Sequence, residues 1–403
     1  MTRDDSQRSD RFPEGEGTDL RSALLSGKTA AEIADELFRT ATADEGIDAA
    51  VTDLVAVVTG EEDVSVDERT TAAAVLATVA NRRPSRAPRV VSTFQRCLDD
   101  PVTETTALRE LATVAEGAPT AVDPALAAVA TRLTDRPLPA RESALQVLEA
   151  RADADPGALE TVTGPLVTAV ASVDTDRSDA DLPVHRQAQN RTENVAEERL
   201  RQRAAAVLEA VADEAPASVS PELDGLHPVL DPDVTYNTHL RERVVEVVRL
   251  VATESPEAAA ELTPSLVALL QRQKLSDSLH GTVARALATI TDTRPQETAE
   301  HVQAAVEPLV GLSSHERPGV RAQATSLLSY VAQHHPDSIA PVAEQLFDRL
   351  DDDHASVRAA AVWTVAALDT ERARKALART ASTDPDPDVR ALAEELHAPD
   401  ESE

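Results

Sequence analysis

Ten histidines, a single cysteine, a single tryptophan and one tight group of arginines are the residues here whose chemistry could go beyond packing. The histidines all lie at or after His185, and His334-His335 stands directly before Pro336. A metal centre needs three or four donors drawn together, and no cluster of that kind is written in the chain. Cys97 has no second cysteine, so an intrachain disulfide and a paired-cysteine zinc site are both excluded. With 12 glycines, no glycine-rich phosphate loop is present, and no nucleophile elbow appears. The catalytic constellations are therefore missing, which predicts a non-enzyme with no cofactor. The arginines, Arg82, Arg83, Arg86 and Arg89, are the one basic cluster. They suit either a small number of phosphate contacts or a salt-bridged rim facing Asp67 and Glu68, or Asp99 and Asp100.

These residues must be positioned by helices, because the chain repeats one helical pattern. Pro84, Pro119, Pro156, Pro216, Pro256, Pro295 and Pro336 are spaced by 35, 37, 60, 40, 39 and 41 residues. Fifteen residues before each stand Arg69, Glu104, Arg141, Arg201, Arg241, His280 and Arg321. At twelve, eight and five before, the first repeat has Ala72, Leu76 and Val79, and the seventh has Ala324, Leu328 and Val331. These offsets lie on one helix face. The proline stops the helix, since the residue before a proline is biased away from the α region. A second helix is expected to follow, often opening at Pro124, Pro165, Pro221, Pro264 or Pro341. Arg151 breaks the rule by standing where the other six have Val or Ile; either Ala150 and Ala152 close the gap or the repeat is displaced. An eighth repeat keeps the register from Arg358 without a proline, and a half repeat runs from Asp384 to Ala398.

The turn Asp351-Asp352-Asp353, then Val357-Arg358 and Ala361, with parallel copies at Val320-Arg321 and Val389-Arg390, resembles the HEAT-repeat family. The resemblance covers roughly residues 64–398 and implies an all-α, right-handed superhelix of about eight helix pairs, a HEAT/armadillo-like solenoid. It also implies a scaffold or adaptor for protein–protein interaction, with partners held on the second helices. In that family the turn Asp and helix Arg pair from repeat to repeat, a role that Asp352 with Arg358 and Asp386 with Arg390 fit. Glu104 and His280 imply gaps at the second and sixth repeats. One HEAT-type enzyme family, deoxyhypusine hydroxylase, builds a di-iron site from several His-Glu pairs. This chain has one, His315-Glu316, which keeps a metal-dependent enzyme as the weakest alternative. A nucleic-acid-associated HEAT-like protein, using Arg82 to Arg89, is the runner-up.

Trp363 stands five residues after Arg358, about 150° around the helix from the Ala/Leu/Val face. Its counterparts are Ala74, Arg109, Gln146, Ala206, Glu246, Arg285 and Ser326. It is expected to point outward, either as a partner contact or packed on a final helix at 372–380. The candidate binding residues are thus Trp363, Arg82, Arg83, Arg86 and Arg89.

The formal charge is −32 over 403 residues, and only three basic residues are lysine. Aromatics are 2% of the chain. This composition resembles cytoplasmic proteins of salt-loading, haloarchaeal-type cells, where an acidic hydrated surface maintains solubility. At about 1 M salt the Debye length is roughly 3 Å, so the charge reports on solvent more than on a partner. No membrane span or signal segment is written, which predicts a cytoplasmic protein. The expected organisation is a disordered tail at 1–18, a divergent helical cap at 19–63, and HEAT-like repeats at 64–174. A polar insertion at 175–196, further repeats at 197–398 and a tail at 399–403 follow.

Overall fold

The computed structural model describes residues 20–41, 44–61, 64–172, 184–234, 237–272 and 276–397. Both expected tails and residues 175–183 of the expected insertion lie outside these. Every regular element among the described residues is a helix. The architecture is all-α, built of helix pairs that recur along the chain. The chain forms two compact units, Met1–Pro165 and Leu166–Glu403.

In the first unit, three helices, Leu20–Leu25, Ala30–Thr40 and Asp44–Thr59, precede three repeats. Thr29 and Glu32 form a reciprocal capping box that opens the second of them. The leading helices of the repeats are Val66–Arg82, Glu104–Gly117 and Leu138–Ala154. In the second unit they are Val184–Glu214, Thr238–Glu254, Asp277–Thr293, Pro318–His334, Ala355–Ala366 and, in the half repeat, Pro387–His397. Each packs on the leading helix that follows it in its unit.

The face read from the sequence is the buried one. Ala72, Leu76 and Val79 are fully enclosed, and so are Val244, Val248 and Val251, and Ala324, Leu328 and Val331. Burying each aliphatic side chain is worth about 1.5–3 kcal/mol, so this stripe dominates the cohesion of a repeat. The fourth leading helix is 31 residues long against 17 in its two successors. Residues 184–196 of the expected insertion are thus helix, a forward extension of the fourth repeat.

The prolines do more than stop a helix. The residue before each adopts a similar non-helical conformation: φ/ψ is −145/68 at Ala118, −139/64 at Ala215, −129/64 at Ser255 and −136/60 at His335. Its N–H still closes the last turn, as from Ser255 to the Val251 carbonyl at 2.8 Å. The marker proline then takes the first position of the next helical segment, where a missing N–H costs nothing. Helical structure therefore resumes at the marker proline, ahead of the later one expected from the sequence. The later proline marks a second start within it: Pro264 stands in the first turn of Thr263–Leu270 and Pro165 in that of Thr163–Ala171, as expected, whereas Pro124 lies inside a 3-10 segment. Pro119–Ala125 is 3-10 and yields to α at Leu126–Ala130, and Pro336–Asp351 is four short segments. Proline both lacks a donor and crowds the carbonyl four residues back. The eighth repeat supplies the control. It lacks these prolines, turns at Asp369 with φ 41, caps at Thr370, and runs an unbroken helix, Glu371–Thr383.

In the seventh and eighth repeats the arginine at the head of the leading helix links one repeat to the next. Arg321 forks onto Asp352, both bonds 2.8 Å, and Arg358 forks onto Asp384 at 2.8 and 3.0 Å. Each also reaches back six residues to a backbone carbonyl: Arg321 to His315, Arg358 to Asp352, Arg390 to Asp384. The carboxylate partner thus comes from the next repeat. This corrects the expected pairs, since Asp352 offers Arg358 only its backbone oxygen. Asp386 instead caps the amides of Asp388 and Val389. The second repeat is not a gap either. Glu104, at the arginine position, accepts from Arg136 of the following turn at 2.9 Å, a pair of inverted polarity. His280 does leave a break, meeting the Arg272 carbonyl at 3.1 Å. Arg151 is buried yet paired, with Asp123 at 2.7 Å and Asp155 at 3.2 Å. Neither a closed gap nor a displaced repeat explains it; an ion pair occupies the hydrophobic position.

Candidate protein-binding surface

The expected arginine cluster is held from within. Arg82 pairs with Asp35 at 2.5 Å, and Arg82 and Arg83 lie 5.5 and 5.4 Å from the centre of the Phe38 ring. Arg86 donates to Asp48 at 3.0 Å and Arg89 to Thr52 at 2.9 Å. All four partners come from the helices ahead of the first repeat, so the cluster fastens that cap through ion pairs and cation–π contacts. Three of the four acids expected to face it are engaged elsewhere. Glu68 closes a capping box with Ser65, Asp99 pairs with Arg132, and Asp100 accepts from the Val102 amide.

The remaining chemistry-bearing groups are structural. Cys97 is buried, and burial pushes its thiol above the ordinary value. His315 Nδ1 accepts from the Arg317 amide at 3.0 Å. Among the described residues no three His, Cys, Asp or Glu side chains are placed to hold a metal.

Trp363 is different. It is 42% exposed, on the leading helix of the eighth repeat. The core beneath is made by Ala361, Val362, Val365, Ala373, Leu377, Val389 and Ala393, without the indole. The helix period predicts this: the side chain five past the arginine faces away from the aliphatic stripe.

On that same outer face, three repeats earlier, the leading helices of the fourth, fifth and sixth repeats line a groove of about 750 Å³. Arg199, Arg203, Arg243 and Arg285 line it with Glu209, Glu242 and Glu246. Two of the glutamates are held by arginine: Glu209 pairs with Arg243 at 2.5 Å and Glu246 with Arg249 at 2.7 Å, while Glu242 lies 3.4 Å from the His239 ring nitrogen. Arg199 and Arg285 are exposed and have no partner among the described residues. The groove therefore lies on leading helices, whereas the sequence pointed to the second helices. Arg285 stood in the register as a counterpart of Trp363, but its freedom from a partner was not legible there.

Residues 306–397 match the HEAT repeats family model. This stretch includes the seventh and eighth repeats and the half repeat, where the arginine–aspartate forks are intact. Comparison with curated proteins finds no match. Among solved structures the chain is similar to Kap121p, with 14% identity and a TM-score of 0.39, covering 94% of this chain and 45% of that one. Kap121p bound to Nup53p is similar at 14% identity and TM-score 0.38, with 96% and 46% covered. A designed armadillo repeat protein is similar at 18% identity and TM-score 0.38, over 70% of this chain and all of that one. The chain spans less than half the length of Kap121p. Among the described residues no helix is long and apolar enough to cross a membrane.

Proposed function

We propose that this chain is a non-enzymatic scaffold that binds a protein partner through the outer face of its leading helices, with Trp363 as a contact. The observation that carries this is the exposed indole in a chain with one tryptophan, left outside a core that has no need of it. Tryptophan contributes disproportionately at protein interfaces, because a large rigid ring leaves water at low entropic cost. The nucleic-acid alternative draws no support from Arg82, Arg83, Arg86 and Arg89, which secure the N-terminal helices. The charge of −32 with three lysines supports a cytoplasmic setting rich in salt, so the partner should be sought in molar KCl. The test is affinity capture from native-salt lysate with the full chain and with Trp363→Ala. A partner retained by the first and lost by the second is expected; equal capture by both removes Trp363 from the interface.

A further inference from the structure

We propose that the groove across the fourth to sixth repeats receives an extended acidic segment of the partner protein, its carboxylates meeting Arg199 and Arg285. This rests on the protein-binding reading and adds the chemistry of what is bound. At molar salt only contact-range charge counts, and in a chain of net charge −32 this groove presents four arginines against three glutamates. Glu209 and Glu246 are already matched by Arg243 and Arg249, and Glu242 lies beside the His239 imidazole. The two unmatched guanidiniums mark its two ends, Arg199 on the fourth leading helix and Arg285 on the sixth. A guanidinium fork fits a carboxylate in two parallel hydrogen bonds, and an exposed one gives up little to make them. The interleaved Glu209, Glu242 and Glu246 oppose a continuous phosphate backbone but leave room for carboxylates at separated points, which favours a peptide over nucleic acid.

The spacing is set by the repeat. Packed helices stand about 8–10 Å apart, so Arg199 and Arg285 are separated by roughly 20 Å. An extended chain covers about 3.3–3.6 Å per residue, which places the two carboxylates about six residues apart. Trp363 lies on the same register two repeats beyond Arg285, roughly 20 Å further. The same segment thus carries an apolar side chain about six residues past its second carboxylate.

The experiment is selection of a displayed library of random thirteen-residue peptides on the full chain in molar KCl, repeated on Arg199→Glu/Arg285→Glu and on Trp363→Ala. Both arginines are exposed and have no partner among the described residues, so the charge-reversed protein is expected to melt with the parent. Enrichment of peptides with Asp or Glu about six apart is expected. Their binding should fall about tenfold or more on the charge-reversed protein, and less when the two acids are replaced by amides. Enriched peptides with no excess of acids, or equal retention on the charge-reversed protein, overturn the proposal. So does tighter binding of a thirteen-nucleotide single strand that depends on the same arginines. Peptides that need Trp363 but ignore the arginines leave the scaffold reading standing and remove the groove from it.

Discussion

Arg358 and Asp384 close the joint between the eighth repeat and the half repeat with two parallel hydrogen bonds of 2.8 and 3.0 Å, both side chains nearly out of solvent. Arg321 and Asp352 repeat this geometry one joint earlier. The pairs act as register pins. Each arginine also holds the carbonyl that ends the turn before its own helix, so one side chain fixes a turn and a neighbour together.

Replacing Asp384 by Asn keeps the shape and removes the charge, leaving the buried Arg358 without its paired carboxylate. A loss of about 2 kcal/mol is expected, read from the denaturant midpoint of the full chain. Arg358→Met/Asp384→Leu should recover most of it, because an apolar pair carries no uncompensated charge. A double variant as unstable as Asp384→Asn would show that the fork itself sustains the joint.

The same pairs set an acid limit. Burial raises the Asp384 carboxyl, but Arg358 and the Asp386 amide outweigh it and hold it below the ordinary 3.8. Asp352 is likewise raised by burial and lowered further by Arg321 and the His354 amide. Carboxylates depressed in the folded state contribute stability that is present above the unfolded value. That stability is lost as pH falls through the folded one. The pins should therefore hold at pH 5 and fail progressively below about 3.8. Stability measured from pH 5 to 2 should fall less steeply in Asp352→Asn/Asp384→Asn than in the parent.

Arg151 separates a pair that is tolerated from one that is needed. Its guanidinium is buried while Asp123 and Asp155 stay 44% and 57% exposed. Arg151→Val restores the residue of the other repeats and strands no buried charge, so a change within about 1 kcal/mol is expected. Asp123→Ala leaves the buried cation with one acid and should cost roughly 2 kcal/mol. Thermal melts of the two variants that rank the other way would contradict this account.

Trp363 reports its own environment. At 42% exposure the indole should be quenched efficiently by iodide and emit toward the red. Trp363→Ala should shift stability by less than about 0.5 kcal/mol, since substitutions away from the core rarely do more. A shielded indole, or a large drop in melting temperature, would place it in the packing instead.

Much of the fold was legible because a helix writes its period into adjacent residues. Ala72, Leu76 and Val79 declare their face through covalent spacing alone. Seven prolines at one offset declare the stops. Breakage of the second helices was also written, in Pro124 and Pro341, but those prolines read equally well as helix starts. Only the observed path, with the marker proline already in the first turn, decides between the two.

Partnership was not legible in the same way. Arg82 finds Asp35 across 47 residues, Arg321 finds Asp352 across 31, and Arg358 finds Asp384 across 26. Such pairs depend on how one repeat is rotated onto the next, which no local periodicity encodes. The sequence by itself determined the helices, their buried stripe and the outward place of Trp363, since 3.6 residues per turn suffices for all three. Only the tertiary structure decided which arginines are spent on the fold and which, at Arg199 and Arg285, are left facing a groove, because a charge is free or paired according to what the packing brings beside it.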